Sequence, residues 1–457
     1  MKDARLAIDF GAGSGRVIAA TCDEGRLQLD EVHRFVNRQI DLDGWLYWDI
    51  LSLWQEMKTG IRKAADKGYR ISSIGVDTWG VDFGLLDVDN RLIGNPICYR
   101  DSHVDGQADR YFADHDINQY YSRQGIQIMD INTIFRLLSL RGSDALRRAK
   151  TLLMMPDLFN WLLTGRVMAE YTEASTTGLL DARSRDWDRE LIESLDVDPR
   201  IFPPIAMPGT VVGTVLPRIA SELGISPDTK IIAVGSHDTA SAAYAALRGS
   251  GCDKHCAFLS CGTWSLLGVP LDQPILTKEA RLEGFSNEGG VGRKILFLQN
   301  ITGLWILQQL VAQWQAEGKT CDYPTLTQMA RDSAGDATID VDDPSFARPG
   351  NMAERIREYC RKKRITQPQS QGDFARCVIS SLALRYRSGI EGMNRLLDQP
   401  IQSLTVIGGG AKNPLLIEAT RRACGIPVEA GPVEATAIGN ILLQMASDGL
   451  NIQNIKL

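Results

Sequence analysis

Two short apolar strands of this chain each run directly into a glycine-containing turn, and this pattern constrains the fold more than any other feature. The first is residues 6–16, LAIDFGAGSGR, and the second is residues 257–265, AFLSCGTWS. Successive backbone N–H groups hold phosphate oxygens well, and glycine lets the chain approach a ligand closely because it has no side chain to clash. Two such turns predict a protein that binds a phosphorylated ligand.

The first turn carries side chains suited to a nucleotide phosphate. Ser14 adds a hydroxyl donor and Arg16 a cation, while Asp9 ends the preceding strand, where a carboxylate can orient a hydrated Mg²⁺. A glycine-rich hairpin without a ligand is about equally common, so the first turn by itself leaves both interpretations open. The GT pair at 262–263 and the three glycines at 408–410 add two further points of close approach. Three such points together favour a nucleotide site.

Two other phosphate motifs are excluded. The chain contains no G-x-x-x-x-G-K-[S/T] loop and therefore no P-loop. Gly11, Gly13 and Gly15 are spaced too tightly for the dinucleotide fingerprint, and residues 16–21 continue as a β pattern instead of the helix which that motif requires. An NAD site is therefore not predicted.

Asp238 is the candidate general base. It follows the buried strand 231–235 and directly precedes a small-residue helix at 239–247. An aspartate there often only caps the helix, but Ser236 or Thr239 can take that role and leave Asp238 directed at a substrate. The helix N-terminus favours the ionised carboxylate, which can accept a proton from a sugar hydroxyl as its oxygen attacks a γ-phosphate. The neighbouring His237 is interpreted as a substrate contact or a packed ring.

Sugar-facing residues are predicted in two segments, 77–82 (DTWGVD) and 99–101 (YRD, with Arg100). Trp79 offers an aromatic wall and Asp82 a carboxylate for hydroxyl groups, although Trp79 as a plain core residue is an equal alternative. Polar side chains in the otherwise apolar segments 287–290 and 300–308 need partners, which a sugar or nucleotide would supply.

Each half of the chain opens on a strand–turn–strand hairpin and later alternates strands with helices, which indicates an internal duplication. The sequence therefore predicts an α/β protein of two lobes, residues 1–243 and 244–457, with a cleft between them and a hinge near 240–254. Within the first lobe, apolar spacing predicts helical structure over 144–164. Strand 82–87 is expected to be the hairpin partner of strand 71–77.

Composition argues against several other classes of protein. A net charge of −6 does not fit a nucleic-acid binder, and the basic run 355–364 is interpreted as a solvated helix end. No stretch approaches the roughly 20 apolar residues that span a membrane, and no apolar leader precedes the first strand. Nine scattered cysteines fit thiols in a reducing cytoplasm. Cys252 and Cys256 lack a second ligand pair, so zinc is not favoured there.

These residues resemble the FGGY family of carbohydrate kinases. The matching segments cover nearly the whole chain in order: 8–16 (IDFGAGSGR), 75–83 (GVDTWGVDF), 99–102 (YRDS), 236–242 (SHDTASA), 260–266 (SCGTWSL), 287–290 (NEGG), 300–305 (NITGLW), 408–410 (GGG) and 430–435 (AGPVEA). The resemblance implies two actin-like (ribonuclease-H-like) lobes with an interlobe active-site cleft in which sugar and ATP meet.

By motif position, the resemblance also implies roles for individual residues. Asp238 would be the proton acceptor, and the residues near the sugar would be Gly80, His237, Thr239 and Asn300. ATP would lie along Ala12, Gly13, Ser14, Gly15 and Arg16, with Thr263, Gln308 and Gly409. The implied reaction is Mg²⁺-dependent phosphate transfer from ATP to L-rhamnulose, giving L-rhamnulose 1-phosphate and ADP. The alternatives are another ketose, such as L-fuculose or L-ribulose, and a non-catalytic sugar sensor on the same scaffold. No nucleic-acid or membrane partner is expected, and the oligomeric state is left open.

Two departures from the family pattern bear on these expectations. The chain ends at Leu457, soon after the predicted helix around 439–441, where such kinases usually continue with another helical segment; weaker docking of the lobes or lower activity is expected from this. Segment 132–138 (NTIFRLL) lacks the Lys and Trp usual in the wider family, which favours L-rhamnulose over xylulose or glycerol.

Overall fold

A computed structural model describes residues 2–249, 255–319 and 322–456, and the chain divides into two compact α/β units. The first unit consists of Met1–Ala245, Pro270–Phe297 and Thr436–Leu457, and the second of Ala246–Val269 and Leu298–Ala435. No helix in the described ranges is long and apolar enough to cross a membrane. The cytoplasmic location stays a prediction.

The strands are β1 (Lys2–Phe10), β2 (Ser14–Asp23), β3 (Arg26–Val36), β4 (Gln39–Leu42), β5 (Trp45–Trp48), β6 (Tyr69–Thr78), β7 (Phe83–Leu86), β8 (Thr151–Met154), β9 (Ala169–Glu170), β10 (Leu180–Asp181), β11 (Asp186–Trp187), β12 (Ile205–Ala206), β13 (Thr210–Thr214), β14 (Lys230–Ala233), β15 (Cys256–Cys261), β16 (Trp264–Leu271), β17 (Ser286–Gly289), β18 (Ile295–Thr302), β19 (Ser403–Ile407) and β20 (Val428–Ala430). The helices are α1 (Ile50–Asp66), α2 (Gln107–Asp114), α3 (Ile117–Gln124), α4 (Thr133–Ser139), α5 (Asp144–Arg148), α6 (Met155–Thr164), α7 (Tyr171–Ala174), α8 (Arg189–Ser194), α9 (Pro217–Leu223), α10 (Asp238–Gly249), α11 (Lys278–Leu282), α12 (Trp305–Ala316), α13 (Tyr323–Asp332), α14 (Met352–Lys363), α15 (Gln371–Leu396), α16 (Pro414–Cys424) and α17 (Ala435–Ser447).

The sheet of the first unit has the strand order β13-β14-β6-β1-β2-β3. Strands β1, β2 and β3 form an antiparallel meander, whereas β6 runs parallel to β1 and β14 runs parallel to β6. The two faces of β1 are both buried: Leu6 and Ile8 belong to one apolar cluster, and Ala7 belongs to another with Ile441 of α17. Because side chains alternate between the faces of a strand, this double burial accounts for the continuous apolar run of β1. The carboxyl ends of β1, β6 and β14 therefore meet at one edge of the sheet.

The second sheet has the order β17-β18-β16-β15-β19-β20. Strand β15 runs antiparallel to β16 and parallel to β19, which in turn runs parallel to β20. The order β18-β16-β15-β19-β20 thus repeats β3-β2-β1-β6-β14 of the first sheet. This repeated order agrees with the internal duplication predicted from the sequence.

Two predictions about the first unit were wrong in detail. Strand β7 pairs with β8 and not with β6, so it is not the hairpin partner of the 71–77 strand. Residues 144–164 do not form continuous helical structure, because β8 separates α5 from α6. The apolar run at 151–155 (TLLMM) has no periodicity that distinguishes a short buried strand from a helix.

Part of the predicted cysteine and hinge region lies outside the described residues. Cys252 and residues 250–254 of the proposed hinge belong to that part, so the zinc interpretation is left as it was stated. Cys256 is disulfide-bonded, whereas a thiol was expected. Free thiols are found at Cys22, Cys98, Cys261, Cys360, Cys377 and Cys424.

Candidate active site

Three aspartates lie at the carboxyl ends of adjacent parallel strands of the first unit. Asp9 of β1 is directly opposite Asp77 of β6, and the next residue of β6, Thr78, pairs with His237 just before α10. The N–H of Thr78 donates to the carbonyl oxygen of Ser236 (2.8 Å), which holds the start of α10 against β6. Asp238 is the first residue of that helix. The sheet therefore brings Asp9, Asp77 and Asp238 to the same edge.

The Asp77 side chain is fully buried and incompletely satisfied. Asn440 donates to its Oδ2 (2.5 Å), while Oδ1 has no hydrogen-bond partner. Burial and the charge of Asp9 raise the pKa of Asp77 well above its ordinary range, against the effect of the Asn440 hydrogen bond. This buried carboxyl oxygen has the chemistry of a ligand for a cation or of a hydrogen-bond acceptor.

Asp238 is half-buried, with 34% of its side chain exposed. The Thr239 hydroxyl donates to its Oδ1 (3.1 Å), and His237 Nε2 is 3.7 Å from the same oxygen. Burial raises the pKa of Asp238; the His237 charge acts against this and the Asp9 charge adds to it. Burial therefore acts against the ionised form, which the sequence analysis expects the helix N-terminus to favour.

His237 lies between two carboxylates. Its Nδ1 is 3.3 Å from Glu288 Oε2, and its Nε2 faces Asp238. Burial lowers the pKa of the imidazole, but the attraction of Glu288 and Asp238 for the charged ring outweighs burial, so the pKa is raised. A charged His237 stabilises the ionised form of Asp238, as a base requires.

Side chains and backbone of residues 37–39 hold the carbonyl oxygens of the first glycine turn. The Asn37 side chain donates to the Gly11 carbonyl (2.9 Å), the Asn37 N–H donates to the Gly13 carbonyl (3.1 Å), and Gln39 Nε2 donates to the Ala12 carbonyl (3.2 Å). Three carbonyl oxygens of the turn are occupied in this way, and the Gly11 N–H donates to the Ser14 carbonyl within the turn (2.9 Å), so fewer oxygens are left that would repel phosphate. The arrangement fits a nucleotide phosphate, and the sequence analysis did not identify Asn37 or Gln39.

Charge and packing also define this turn. Arg16 donates to Asp9 Oδ2 (2.5 Å), so the predicted cation and the predicted metal ligand form an ion pair. Ser14 is half-buried at the start of β2. A Cβ on Gly15 would collide with the Phe35 ring of β3, whereas one on Gly13 would meet nothing within 4 Å. Close packing therefore requires glycine at 15, and Gly13 leaves open space for a ligand.

Among the predicted sugar-facing residues, Asp82 and Trp79 are buried in a polar–aromatic cluster. Asp82 accepts from the indole N–H groups of Trp48 (2.5 Å) and Trp79 (2.7 Å) and from Arg136. The rings of Trp48 and Trp79 lie 4.1 Å apart. Arg100 is exposed, with its guanidinium over the Tyr99 ring. Contact of Trp79, Asp82 and Arg100 with a sugar stays a prediction.

The second unit brings together three of its predicted nucleotide residues. The Thr263 hydroxyl donates to Gln308 Oε1 (3.1 Å), and the N–H of Leu304 donates to the Gly262 carbonyl (2.8 Å), which fixes the start of α12 on the turn. Strands β15 and β19 are parallel neighbours, so the glycines after β19 lie beside the turn that follows β15. A Cβ on Gly409 would be 3.8 Å from the Cys261 carbonyl oxygen. Asn300 is half-buried in β18.

The structure thus groups the predicted site residues within each unit. In the first unit these are Asp9, the 12–16 turn, Gly80 and 237–239; in the second they are Thr263, Gln308 and Gly409. The sequence analysis includes Asp77 and Glu288 only within the segments 77–82 and 287–290. Their sequence signal is a carboxylate at the end of, or within, a buried strand. Among the described residues, no group of three or more His, Cys, Asp or Glu side chains is arranged to hold a metal ion by itself.

The chain belongs to the FGGY family of carbohydrate kinases, because the family's N-terminal domain matches residues 4–245 and its C-terminal domain matches residues 257–447. It is therefore a sugar kinase. Among its relatives, it is 41% identical to a rhamnulokinase of Bacteroides thetaiotaomicron over 98% of this chain and 92% of the relative. It is 36% identical to a rhamnulokinase of Bacillus subtilis over 96% of this chain and 89% of the relative.

Solved structures show the same fold. A ligand-bound xylulose kinase from Lactobacillus acidophilus superposes with a TM-score of 0.83 at 18% identity, covering 99% of this chain and 91% of that one. Plasmodium falciparum glycerol kinase with ADP gives a TM-score of 0.77 at 16% identity, covering 98% and 90%. Each unit has the ribonuclease-H-like, actin-like α/β architecture that the resemblance implied.

Proposed function

We propose that this sugar kinase phosphorylates L-rhamnulose with ATP, giving L-rhamnulose 1-phosphate and ADP. The sugar is supported by relatives named rhamnulokinase at 36–41% identity over nearly the full chain. The chemistry is supported by one observation above the others, the half-buried Asp238 carboxylate beside His237 at the edge that also carries Asp9 and Asp77.

In the proposed reaction Asp238 accepts the proton of the sugar hydroxyl. The freed oxygen forms a bond to the γ-phosphorus of ATP, and the bond from that phosphorus to the β–γ bridging oxygen breaks as ADP leaves. The proton then passes from Asp238 to solvent. A protonated His237 would help to keep Asp238 ionised before transfer, since its Nε2 is 3.7 Å from Oδ1 and a positive charge there favours the carboxylate.

Nucleotide binding is assigned to two sets of residues. The proposed ATP contacts in the first unit are the backbone N–H groups and Ser14 hydroxyl of the 12–16 turn. In the second unit they are Thr263, Gln308 and Gly409. A Mg²⁺ ion would be held by Asp9 and Asp77. The Asp77 Oδ1 atom, which has no hydrogen-bond partner, fits this role. Mg²⁺ usually binds one or two carboxylates together with waters and phosphates, so a dedicated protein cage is not needed. When bound, the ion neutralises phosphate charge.

A panel of three ketoses and glycerol tests the substrate. ADP release is measured with L-rhamnulose, L-fuculose, L-ribulose and glycerol, and we expect kcat/KM to be at least about tenfold higher for L-rhamnulose, the scale of discrimination that a few pocket contacts supply. Equal values for all four would contradict the proposed substrate.

Asp238→Asn tests the base. The amide has nearly the same shape but cannot accept the proton, so kcat should fall by roughly 10²–10⁴ while ATP affinity, measured by calorimetry, stays the same. Asp89→Asn, at an exposed turn, is the matched control for the same chemical change. An Asp238→Asn enzyme as active as this control would rule out the assignment.

A further inference from the structure

The strand β9, the helix α7 and the turn after it contain several buried polar side chains that the proposed chemistry does not use. Glu170, Thr172, Ser175 and Thr176 are all at most 5% exposed. Besides hydrogen bonds within this segment, here called segment 170–176, these side chains accept backbone N–H groups from three different loops of the first unit. Each of those loops carries a predicted site residue or its partner.

The first contact holds the backbone that leads to the base. Glu170 Oε2 accepts from the N–H of Ser236 (3.2 Å), and Thr172 Oγ1 accepts from the N–H of His237 (3.1 Å). The Thr172 hydroxyl donates in turn to Glu170 Oε2 (2.6 Å). The two residues before Asp238 are therefore fixed by one buried carboxylate and one buried hydroxyl.

The second contact holds the partner of His237. Ser175 Oγ accepts from the N–H of Gly289 (2.7 Å), the residue after Glu288. A Cβ on Gly289 would be 2.7 Å from the Tyr171 ring, so the strand lies directly against α7. This contact sets the position of Glu288, whose carboxylate faces His237.

The third contact holds the loop that contains Gly80. Thr176 Oγ1 accepts from the N–H of Val81 (3.0 Å), and a Cβ on Gly80 would be 3.0 Å from Thr176 Cγ2. Val81 has φ of 69°, in the left-handed region that a β-branched residue rarely adopts. Such a conformation persists only where its surroundings enforce it. The Val81 carbonyl is also bound, by Thr133 Oγ1 (2.7 Å).

We propose that segment 170–176 is the positioning element of the sugar site, with Thr172, Ser175 and Thr176 as positioning residues for the base, for Glu288 and for the Gly80 loop. This proposal rests on the proposed function, because it assigns these loops to the sugar and the base. One short segment then sets the relative position of three loops that are far apart in the sequence. A displacement of about 1 Å in such groups is enough to cost about two orders of magnitude in rate.

The test compares Thr172→Val with Thr177→Val. Thr177 is equally buried, but its hydroxyl donates to the Ala174 carbonyl (2.6 Å) and accepts from the N–H of Leu179 (3.1 Å), both within its own turn. Both variants lose one buried hydroxyl, so both should unfold at lower urea concentration. Only Thr172→Val should lower kcat, by about 10–100-fold. Thr172→Ser keeps the oxygen and should retain most of the wild-type kcat.

The other contacts predict a different kinetic result. Thr176→Val should raise KM for the ketose more than it lowers kcat, since it releases the Gly80 loop and not the base. KM for ATP should change in none of these variants. Equal kcat for Thr172→Val and Thr177→Val, or loss of kcat in Thr172→Ser as large as in Thr172→Val, would overturn the proposal.

All ratios are measured with whichever ketose of the panel the wild-type enzyme turns over fastest. A preference for a sugar other than L-rhamnulose would refute the proposed substrate and leave this comparison valid. Conversely, wild-type activity on L-rhamnulose with no difference between the two valine variants would refute only the positioning role.

Discussion

Removing the Arg136 side chain should strongly destabilise the first unit, because it leaves Asp82 charged and buried without its counter-ion. Arg136 and Asp82 are 2% and 0% exposed, and Arg136 also donates to the carbonyl oxygens of Val81 (3.1 Å) and Ile97 (2.5 Å). Breaking one side of a buried ion pair costs about 3–5 kcal/mol. Of this, about 1–2 kcal/mol corresponds to the two carbonyl hydrogen bonds, at roughly 1 kcal/mol each. The remainder is the cost of the unpaired carboxylate.

The charge part of this cost should depend on pH. Burial already raises the pKa of Asp82, even against the nearby Arg136 charge and the indole hydrogen bonds, and Arg136→Leu should raise it further. A raised folded-state pKa means that stability is fully present below the carboxyl's unfolded pKa and is lost as pH rises. The destabilisation by Arg136→Leu should therefore be larger at pH 8 than at pH 5.

Urea unfolding followed by tryptophan fluorescence is the appropriate assay, since Trp48 and Trp79 both donate to Asp82. Arg141→Leu is the matched control: its pair with Asp196 is 3.4 Å long and 55% and 75% exposed, and its loss should cost less than about 1 kcal/mol.

A double variant separates charge from packing. Asp82→Asn combined with Arg136→Leu should recover at least about 1 kcal/mol relative to Arg136→Leu alone, because no buried charge remains unpaired. A cost below about 1 kcal/mol for Arg136→Leu, or the same cost at pH 5 and pH 8, would refute this reasoning. An Asp82→Asn enzyme of wild-type stability with a much higher ketose KM would instead make Asp82 a sugar contact.

Three further results are expected. Gly15→Ala should raise KM for ATP and lower the free energy of unfolding by about 1–3 kcal/mol, because the added Cβ collides with the Phe35 ring. Adding Phe35→Leu to the same chain should restore part of both losses, measured by urea unfolding and by enzyme kinetics. Because burial raises the pKa of Asp238, the acid limb of the pH profile of kcat/KM for the ketose should lie above the ordinary carboxyl pKa near 3.8. This limb should disappear in Asp238→Asn. An acid limb at or below 3.8 would contradict the assignment of Asp238 as the base. Neither carboxyl oxygen of the fully buried Glu173 has a hydrogen-bond partner, and burial, together with nearby acidic groups, raises the pKa of Glu173 well above the usual range. Glu173→Gln should therefore gain stability relative to wild type as pH rises from about 5 to 8, by up to roughly 1.4 kcal/mol per pH unit. A stability difference that does not change with pH in urea titrations would count against this prediction.

The sequence predicted well those features that depend on local pattern. Strands β1, β2, β15 and β19 and the glycine turns follow from apolar runs that end in glycine, and the two-unit α/β fold follows from their repetition. The start of α10 at Asp238 follows from a buried strand and a small-residue helix. The local order of residues along the chain is enough to predict each of these features.

Features that depend on long-range pairing were missed or misassigned. Strand β8 was predicted as helix because TLLMM is apolar without a period, and only its pairing with β7 distinguishes the two. The sugar contact of Asp82 stays a prediction, but its bonds to two indoles and to Arg136, which are 34, 3 and 54 residues away, were missed. Segment 170–176 gave no signal because its proposed role rests on contacts with loops that are remote in sequence.

The two sheets share a strand order but differ in the chemistry at their carboxyl ends. Strand β1 ends Asp9-Phe10-Gly11, whereas the corresponding β15 ends Ser260-Cys261-Gly262, and Asp77 at the end of β6 has no acidic counterpart in the TVIGGG sequence at 405–410. The edge in the first unit therefore carries carboxylates that repel phosphate unless a cation intervenes, while the edge in the second unit offers glycine N–H groups and a hydroxyl. Proton transfer and a metal ion need the former, and the charge of a nucleotide is better accommodated by the latter. The proposed base and metal ligands thus lie at the first edge, and the proposed ATP contacts at the second edge carry no acidic side chain. Placing a carboxylate in the second, for example by Thr263→Asp, should therefore weaken ATP binding strongly while the ketose KM stays nearly the same.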